Sequence, residues 1–150
     1  ENLDDAVYVW QGIRFLGLGG CKLYNGQSPY QYTEEAMARR IRRVRGQIKK
    51  AGGVDVVVTH AAPMGLGDKN DVAHKGFQSF LELMDRFQPR YLIHGHVHMN
   101  YDPALPRIME YGKTKVVNAY ERYVLDLGEG GNQALKEGYI HRRIERERHR

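Results

Sequence analysis

Two short apolar runs, each closing on a histidine, constrain this chain most. The first, Val54-Asp55-Val56-Val57-Val58-Thr59, is β-branched and leads into His60. The second, Tyr91-Leu92-Ile93, leads into His94-Gly95-His96-Val97-His98. Runs this short and apolar read as strands buried on both faces, the pattern of a parallel sheet covered by helices. In open α/β sheets ligands collect beyond the carboxyl ends of the strands, where loops converge over a rigid base. Two strands that both deliver imidazoles to that edge make a candidate metal site. A histidine at one strand end is ordinarily a hydrogen-bonded loop residue, so the weight rests on the paired arrangement. Strand alternation would put His94, His96 and His98 on one face, but Gly95 permits a turn, so His96 and His98 are assigned to a loop.

The flanking segments supply the rest of an α/β unit. Ala6–Trp10 and Ile13–Leu18 read as a hairpin around Gln11-Gly12. Gly17-Leu18-Gly19-Gly20 lacks the spacing of a dinucleotide fingerprint. The loop from Gly19-Gly20 to Tyr32 carries Tyr24, Tyr30 and Tyr32, either as turn anchors or as the lining of a substrate mouth. Thr33 is a helix cap, Glu34 and Glu35 favour the positive helix end, and Met37, Ile41, Val44 and Ile48 form an apolar stripe. That helix also carries Arg39, Arg40, Arg42, Arg43, Arg45, Lys49 and Lys50, read as a solvated outer face in preference to a nucleic-acid surface. Phe77, Phe80, Leu81, Met84 and Phe87 mark a second helix, halted before Pro89, that serves as the crossover between the two histidine strands. Gly67-Asp68-Lys69-Asn70-Asp71 reads as a polar loop with an aspartate helix cap. Three further strands are expected at Arg107–Tyr111, Lys115–Ala119 and Arg122–Leu127, in antiparallel arrangement.

Gly95-His96-Val97-His98, together with His60-Ala61-Ala62-Pro63, resembles the carboxy-terminal half of the calcineurin-like metallophosphoesterase superfamily. The resemblance implies half of a four-layer α-β-β-α sandwich, with mixed sheets facing each other and helices outside. It implies a site for two divalent ions (Mn, Fe, Zn or Ni), with His60 and His96 on the second ion and His98 on the first, and phosphoester hydrolysis by an activated water held between them. His94, which has no assigned family role, serves as an outer support of the others, and Asn118 either braces the histidine loop or simply forms a turn; His74 and Lys75, in the connection above the site, either face a substrate phosphate or are ordinary helix-start polarity. The Asp-x-His and Gly-Asn-His motifs that complete such a site are absent, and Gly67-Asp68-Lys69-Asn70-Asp71, which mimics the family's Gly-Asp motif, follows His60 where the family places it before, so the catalytic histidine is unassigned and the chain carries half a site. A preceding half or a second chain is then the expected partner beside a phosphoester substrate, and a homo-oligomer would cover the face left open. The metallo-β-lactamase pattern is excluded because Met99-Asn100, not an Asp-His pair, follow His98.

Composition adds few exclusions. The 150 residues suit one domain over residues 1–128 and a polar basic tail over 129–150. The net charge is +5, and residues 141–150, with five arginines against two glutamates, hold more than half of it, so the basic balance describes a tail. The one cysteine, Cys21, rules out an internal disulfide and suits a reducing, cytoplasmic setting, and no run is long enough to span a membrane. Two further function classes remain: a non-catalytic scaffold that keeps the fold, and a basic nucleic-acid-binding domain, which is not favoured.

Overall fold

Gln11 and Gly12 both adopt positive φ, 48° and 76°, as a two-residue turn matched to strand twist requires. They join β1 (Val7–Trp10) to β2 (Ile13–Leu18) as the antiparallel hairpin expected. The computed structural model describes residues 2–101 and 104–128, so the basic tail of residues 129–150 lies outside it. A short parallel ribbon follows, β3 (Cys21–Lys22) with β4 (Gln31–Tyr32). Helix α1 (Glu34–Lys50) starts where the Thr33 hydroxyl accepts the Ala36 N–H at 3.1 Å. Then come β5 (Val56–Thr59), α2 (Gln78–Phe87), β6 (Tyr91–His94), β7 (Ile108–Tyr111) and β8 (Thr114–Asn118).

The six longer strands form one mixed sheet in the order β1-β2-β5-β6-β8-β7. Its four inner strands are parallel and its two edges antiparallel. Because β2, β5 and β6 advance across the sheet in one direction, crossovers of a single hand put α1 and α2 on the same face. There Leu16, Leu18, Val57, Leu92 and Val116 meet Met37, Ile41, Val44 and Ile48 of α1 and Phe80, Leu83 and Met84 of α2. Each such side chain, once fully buried, contributes about 1.5–3 kcal/mol. The opposite face holds Ile13, Val56, Tyr91 and Val117 under Tyr123, Leu125 and Leu127.

Several expectations are corrected here. The histidine strands are not buried on both faces throughout: Val58 is 36% exposed, because both helices lie on the other side. The expected half-sandwich is matched in its coarse form: among the described residues there is one large mixed sheet and a ribbon. Arg122–Leu127 forms no strand: its alternating apolar residues cover the sheet face without joining a ladder, and Arg90 Nη2 ties down the Leu127 carbonyl at 3.0 Å. β8 is antiparallel to β7 but parallel to β6. No helix begins in 67–71. The start of α2 is served from α1, where the Glu34 carboxylate accepts the Ser79 N–H at 2.7 Å and pairs with Lys22 at 2.9 Å.

Arg40 also departs from the solvated basic face. It is 5% exposed, whereas Arg39, Arg42, Arg43, Lys49 and Lys50 are open to solvent. Its guanidinium pairs with Asp4 at 2.7 Å and Asp5 at 2.9 Å, donates to the Gly19 carbonyl at 2.7 Å, and lies 4.4 Å above the Tyr32 ring.

A second ion pair contributes to acid stability. Asp55, 8% exposed, accepts Arg14 Nε at 2.8 Å, Nη2 at 2.8 Å and the Arg14 backbone N–H at 2.9 Å. These hydrogen bonds hold the Asp55 carboxyl below the usual carboxylate range. A lowered folded-state pKa contributes stability fully present above the unfolded value, about 3.9, and lost as pH falls through the folded one. Urea melts across pH 2–7 should therefore show a shallower acid limb in Asp55→Asn, with a loss of about 1.5–3 kcal/mol at neutral pH. An unchanged acid limb would refute this assignment.

Candidate metal centre

All four inner strands end on the same edge, so parallel pairing alone brings their carboxyl-terminal loops together. Val58 pairs with Ile93, and the Gly95 N–H then donates to the His60 carbonyl at 3.1 Å, stitching the two histidine turns to each other. His60 Nε2 and His96 Nδ1 consequently face each other at 2.9 Å, with ring centroids 4.6 Å apart and planes tilted by 58°.

The backbone that aims His96 is unusual. The positive φ of the turn falls on His96 itself, at 62°, not on Gly95, whose surroundings are open. Such a conformation in a non-glycine residue persists only where neighbours over-determine it. Here Val97 is buried, the Ala119 N–H donates to the His94 carbonyl at 2.7 Å, and Asn118 Nδ2 donates to the Val97 carbonyl at 2.9 Å. Asn118, 1% exposed at the end of β8, thus holds the histidine turn from beneath.

A backbone carbonyl selects the His96 tautomer. His96 Nε2–H donates to the Ala73 carbonyl at 2.8 Å, which leaves the Nδ1 lone pair pointing at His60. His60 is exposed at the sheet edge, yet the partial desolvation of its ring, reinforced by His96, lowers its pKa and favours the neutral ring that ligation needs. Two nitrogens each 2.0–2.1 Å from one tetrahedral ion stand roughly 3.3–3.4 Å apart. The two imidazoles, at 2.9 Å, are within a few tenths of an ångström of that spacing, and their hydrogen bond to each other would give way to an ion. Among the described residues, no group of three or more His, Cys, Asp or Glu converges on such a point.

The other named residues take separate places. His98 is exposed, its ring 4.8 Å from that of Tyr120. His94 is 2% exposed beneath the loop at Gly67, with its pKa lowered by burial, and stands outside the facing pair. His74 Nδ1 donates to Asp71 at 2.7 Å, and its ring lies 4.8 Å from that of His96. Lys75 is exposed at the end of the same loop. That loop is clasped by Asp68, which accepts the Gly65 N–H at 2.8 Å and the Gly76 N–H at 2.9 Å, so both its oxygens serve the backbone.

Beside the histidine pair opens a cleft of about 490 Å³, lined among others by Cys21, Tyr24, Tyr30, His60 and His96. Burial raises the Cys21 thiol pKa, which disfavours the thiolate a nucleophile needs. Sequence reasoning did not single out Asp71 as the partner of His74, although an acid three residues before a histidine was the available signal. The Ala73 carbonyl left no such signal, since backbone groups carry no sequence identity.

The fold is therefore α/β, a mixed sheet presenting a histidine pair at its carboxyl edge. No known family profile matches the chain. It is 30% identical over 124 residues to UPF0046 protein T07D4.2 of Caenorhabditis elegans, covering 79% of this chain and 29% of that protein. It is 28% identical over 123 residues to the uncharacterized protein MJ1162 of Methanocaldococcus jannaschii, covering 78% of this chain and 52% of that one. Among solved structures, one aligns with a TM-score of 0.57 at 20% identity, over 79% of this chain and 45% of the other. TT1561 of Thermus thermophilus aligns with a TM-score of 0.50 at 13% identity, over 79% of this chain and 49% of its own. The chain thus spans about half the length of these proteins or less, and the structural likeness is one of fold. Among the described residues, no helix is long and apolar enough to cross a membrane.

Proposed function

We propose that this chain is the carboxy-terminal part of a calcineurin-like metallophosphoesterase, carrying one portion of a metal centre that hydrolyses phosphoesters. The observation that carries this reading is the pair His60 Nε2 and His96 Nδ1, 2.9 Å apart at the carboxyl ends of adjacent parallel strands, with the His96 tautomer set by a backbone carbonyl. The four-layer sandwich belongs to the same proposal, since the sheet has helices on one face only and a partly covered opposite face. A divalent ion, when bound, would supply Lewis-acid charge to phosphoryl oxygens and lower the pKa of water so that, its proton lost, hydroxide could attack phosphorus. The chain's own residues then hold and orient. His60 and His96 would bind as neutral imidazoles, Asn118 keeps the His96 turn fixed, and the Asp68-clasped loop brings the His74 ring to 4.8 Å from that of His96, within reach of a substrate phosphate held there.

The test is metal titration with manganese and zinc, paired with bis-p-nitrophenyl phosphate turnover. The expected result is one ion per chain, lost in His60→Ala and His96→Ala, with metal-dependent turnover once the preceding half is supplied in the same or a separate polypeptide. Metal binding without turnover in the completed protein would instead favour a scaffold. Absence of metal binding would overturn the proposal.

A further inference from the structure

The loop between β3 and β4 presents two tyrosines that the fold does not use. Tyr32, at its base, is an anchor: it is half-buried, with the Arg40 guanidinium 4.4 Å above its ring and Gly20 packed so closely that a Cβ there would run into the ring. Tyr24 and Tyr30 are 45% and 66% exposed, and both line the cleft that His60 and His96 share. Their positions are nonetheless well held. Gln31 Oε1 accepts the consecutive N–H groups of Tyr24, Asn25 and Gly26 at 3.1, 3.2 and 3.2 Å, and Gln31 Nε2 donates to Asn25 Oδ1 at 2.7 Å. Cys21 N–H to the Tyr30 carbonyl at 3.0 Å and Leu23 N–H to the Tyr32 carbonyl at 2.9 Å close the loop onto the ribbon. Ordering a loop costs conformational entropy. In this one the order fixes the backbone that carries two aromatic side chains, which stay in the open instead of being buried.

We infer that Tyr24 and Tyr30 form a stacking platform for a planar aromatic ring on the alcohol part of a phosphate ester whose phosphate lies at His60 and His96. This inference rests on the phosphoesterase reading and specifies its substrate class. A π-face accepts any flat ring, so the platform selects for aromaticity without reading a hydrogen-bond pattern.

Calorimetric titration of the metal-loaded chain with AMP, phenyl phosphate and ribose 5-phosphate tests it. AMP should bind roughly 5–150-fold more tightly than ribose 5-phosphate, the span that stacking of one base supplies. The preference should vanish in Tyr24→Leu/Tyr30→Leu and persist in Tyr24→Phe/Tyr30→Phe, with melting temperatures confirming that both variants fold. A matching preference for phenyl phosphate would identify any aryl group as sufficient; a preference confined to AMP would identify the nucleobase. Equal binding of AMP and ribose 5-phosphate, or a preference that survives the leucine variant, would overturn the platform while leaving the phosphoesterase reading intact. If none of the three phosphates binds the metal-loaded chain, both fall.

Discussion

Alanine at His96 is expected to lower the chain's affinity for zinc or manganese by more than the about 10–100-fold that loss of an outer supporting partner produces. Among the described residues, the substitution removes one of two converging nitrogens, and what remains is His60 on an open edge. The positive φ of 62° makes the case sharper. Alanine there keeps the unfavourable backbone geometry without the imidazole's bond to the Ala73 carbonyl, so the turn should relax and His60 lose its orientation as well. Asparagine, which tolerates the left-handed region, should keep the fold of the turn and still lose the metal. Competition titrations against a chromogenic chelator would show both effects. Affinity retained in His96→Asn would mean that the imidazole is a structural prop.

The largest stability effect is expected at the amino-terminal end. Replacing Asp4 and Asp5 together by alanine should cost about 3–5 kcal/mol, because it leaves the Arg40 guanidinium buried and without its counter-charges. The asymmetry is informative. Arg40 is 6% exposed at its side chain, whereas Asp4 and Asp5 are 40% and 41% exposed. Arg40→Met therefore leaves carboxylates that water can reach, and should be milder than the double aspartate change. Chemical denaturation of the two variants decides the matter, and equal losses would show that packing around the arginine, not its charge, is what matters.

Much of the site was legible in the sequence because two physical signals coincide there. β-Branched runs such as Val56-Val57-Val58 have few alternatives to a strand, and a histidine placed directly after one must emerge at the sheet's carboxyl edge. Parallel pairing then brings His60 and His96 together without further information. Arg40 shows the limit of reading charge as exposure. It lies three residues after Met37 and four before Val44, in register with the apolar stripe, yet its charge grouped it with Arg39 and Arg42. Its counter-ions sit 35 and 36 positions away, beyond any local pattern. The segment Arg122–Leu127 shows a different limit: alternation of Tyr123, Leu125 and Leu127 reports one buried face, and a buried face does not require a partner strand. The aspartate helix cap expected within residues 67–71 fails for a related reason, since a side chain suited to capping a helix also closes a loop, as Asp68 does by accepting two backbone N–H groups. Likewise, Tyr24, Tyr30 and Tyr32 are alike in sequence, and only packing separates the anchor from the two that remain exposed.

The central claim is that His60 and His96 are joint ligands of one ion. Anomalous diffraction at the zinc edge, from crystals of the chain equilibrated with zinc, tests it most directly. The account predicts a single strong peak within bonding distance of both His60 Nε2 and His96 Nδ1, with His96 Nε2 still bonded to the Ala73 carbonyl. A saturated crystal in which the two rings remain hydrogen-bonded to each other, with zinc elsewhere, would contradict it.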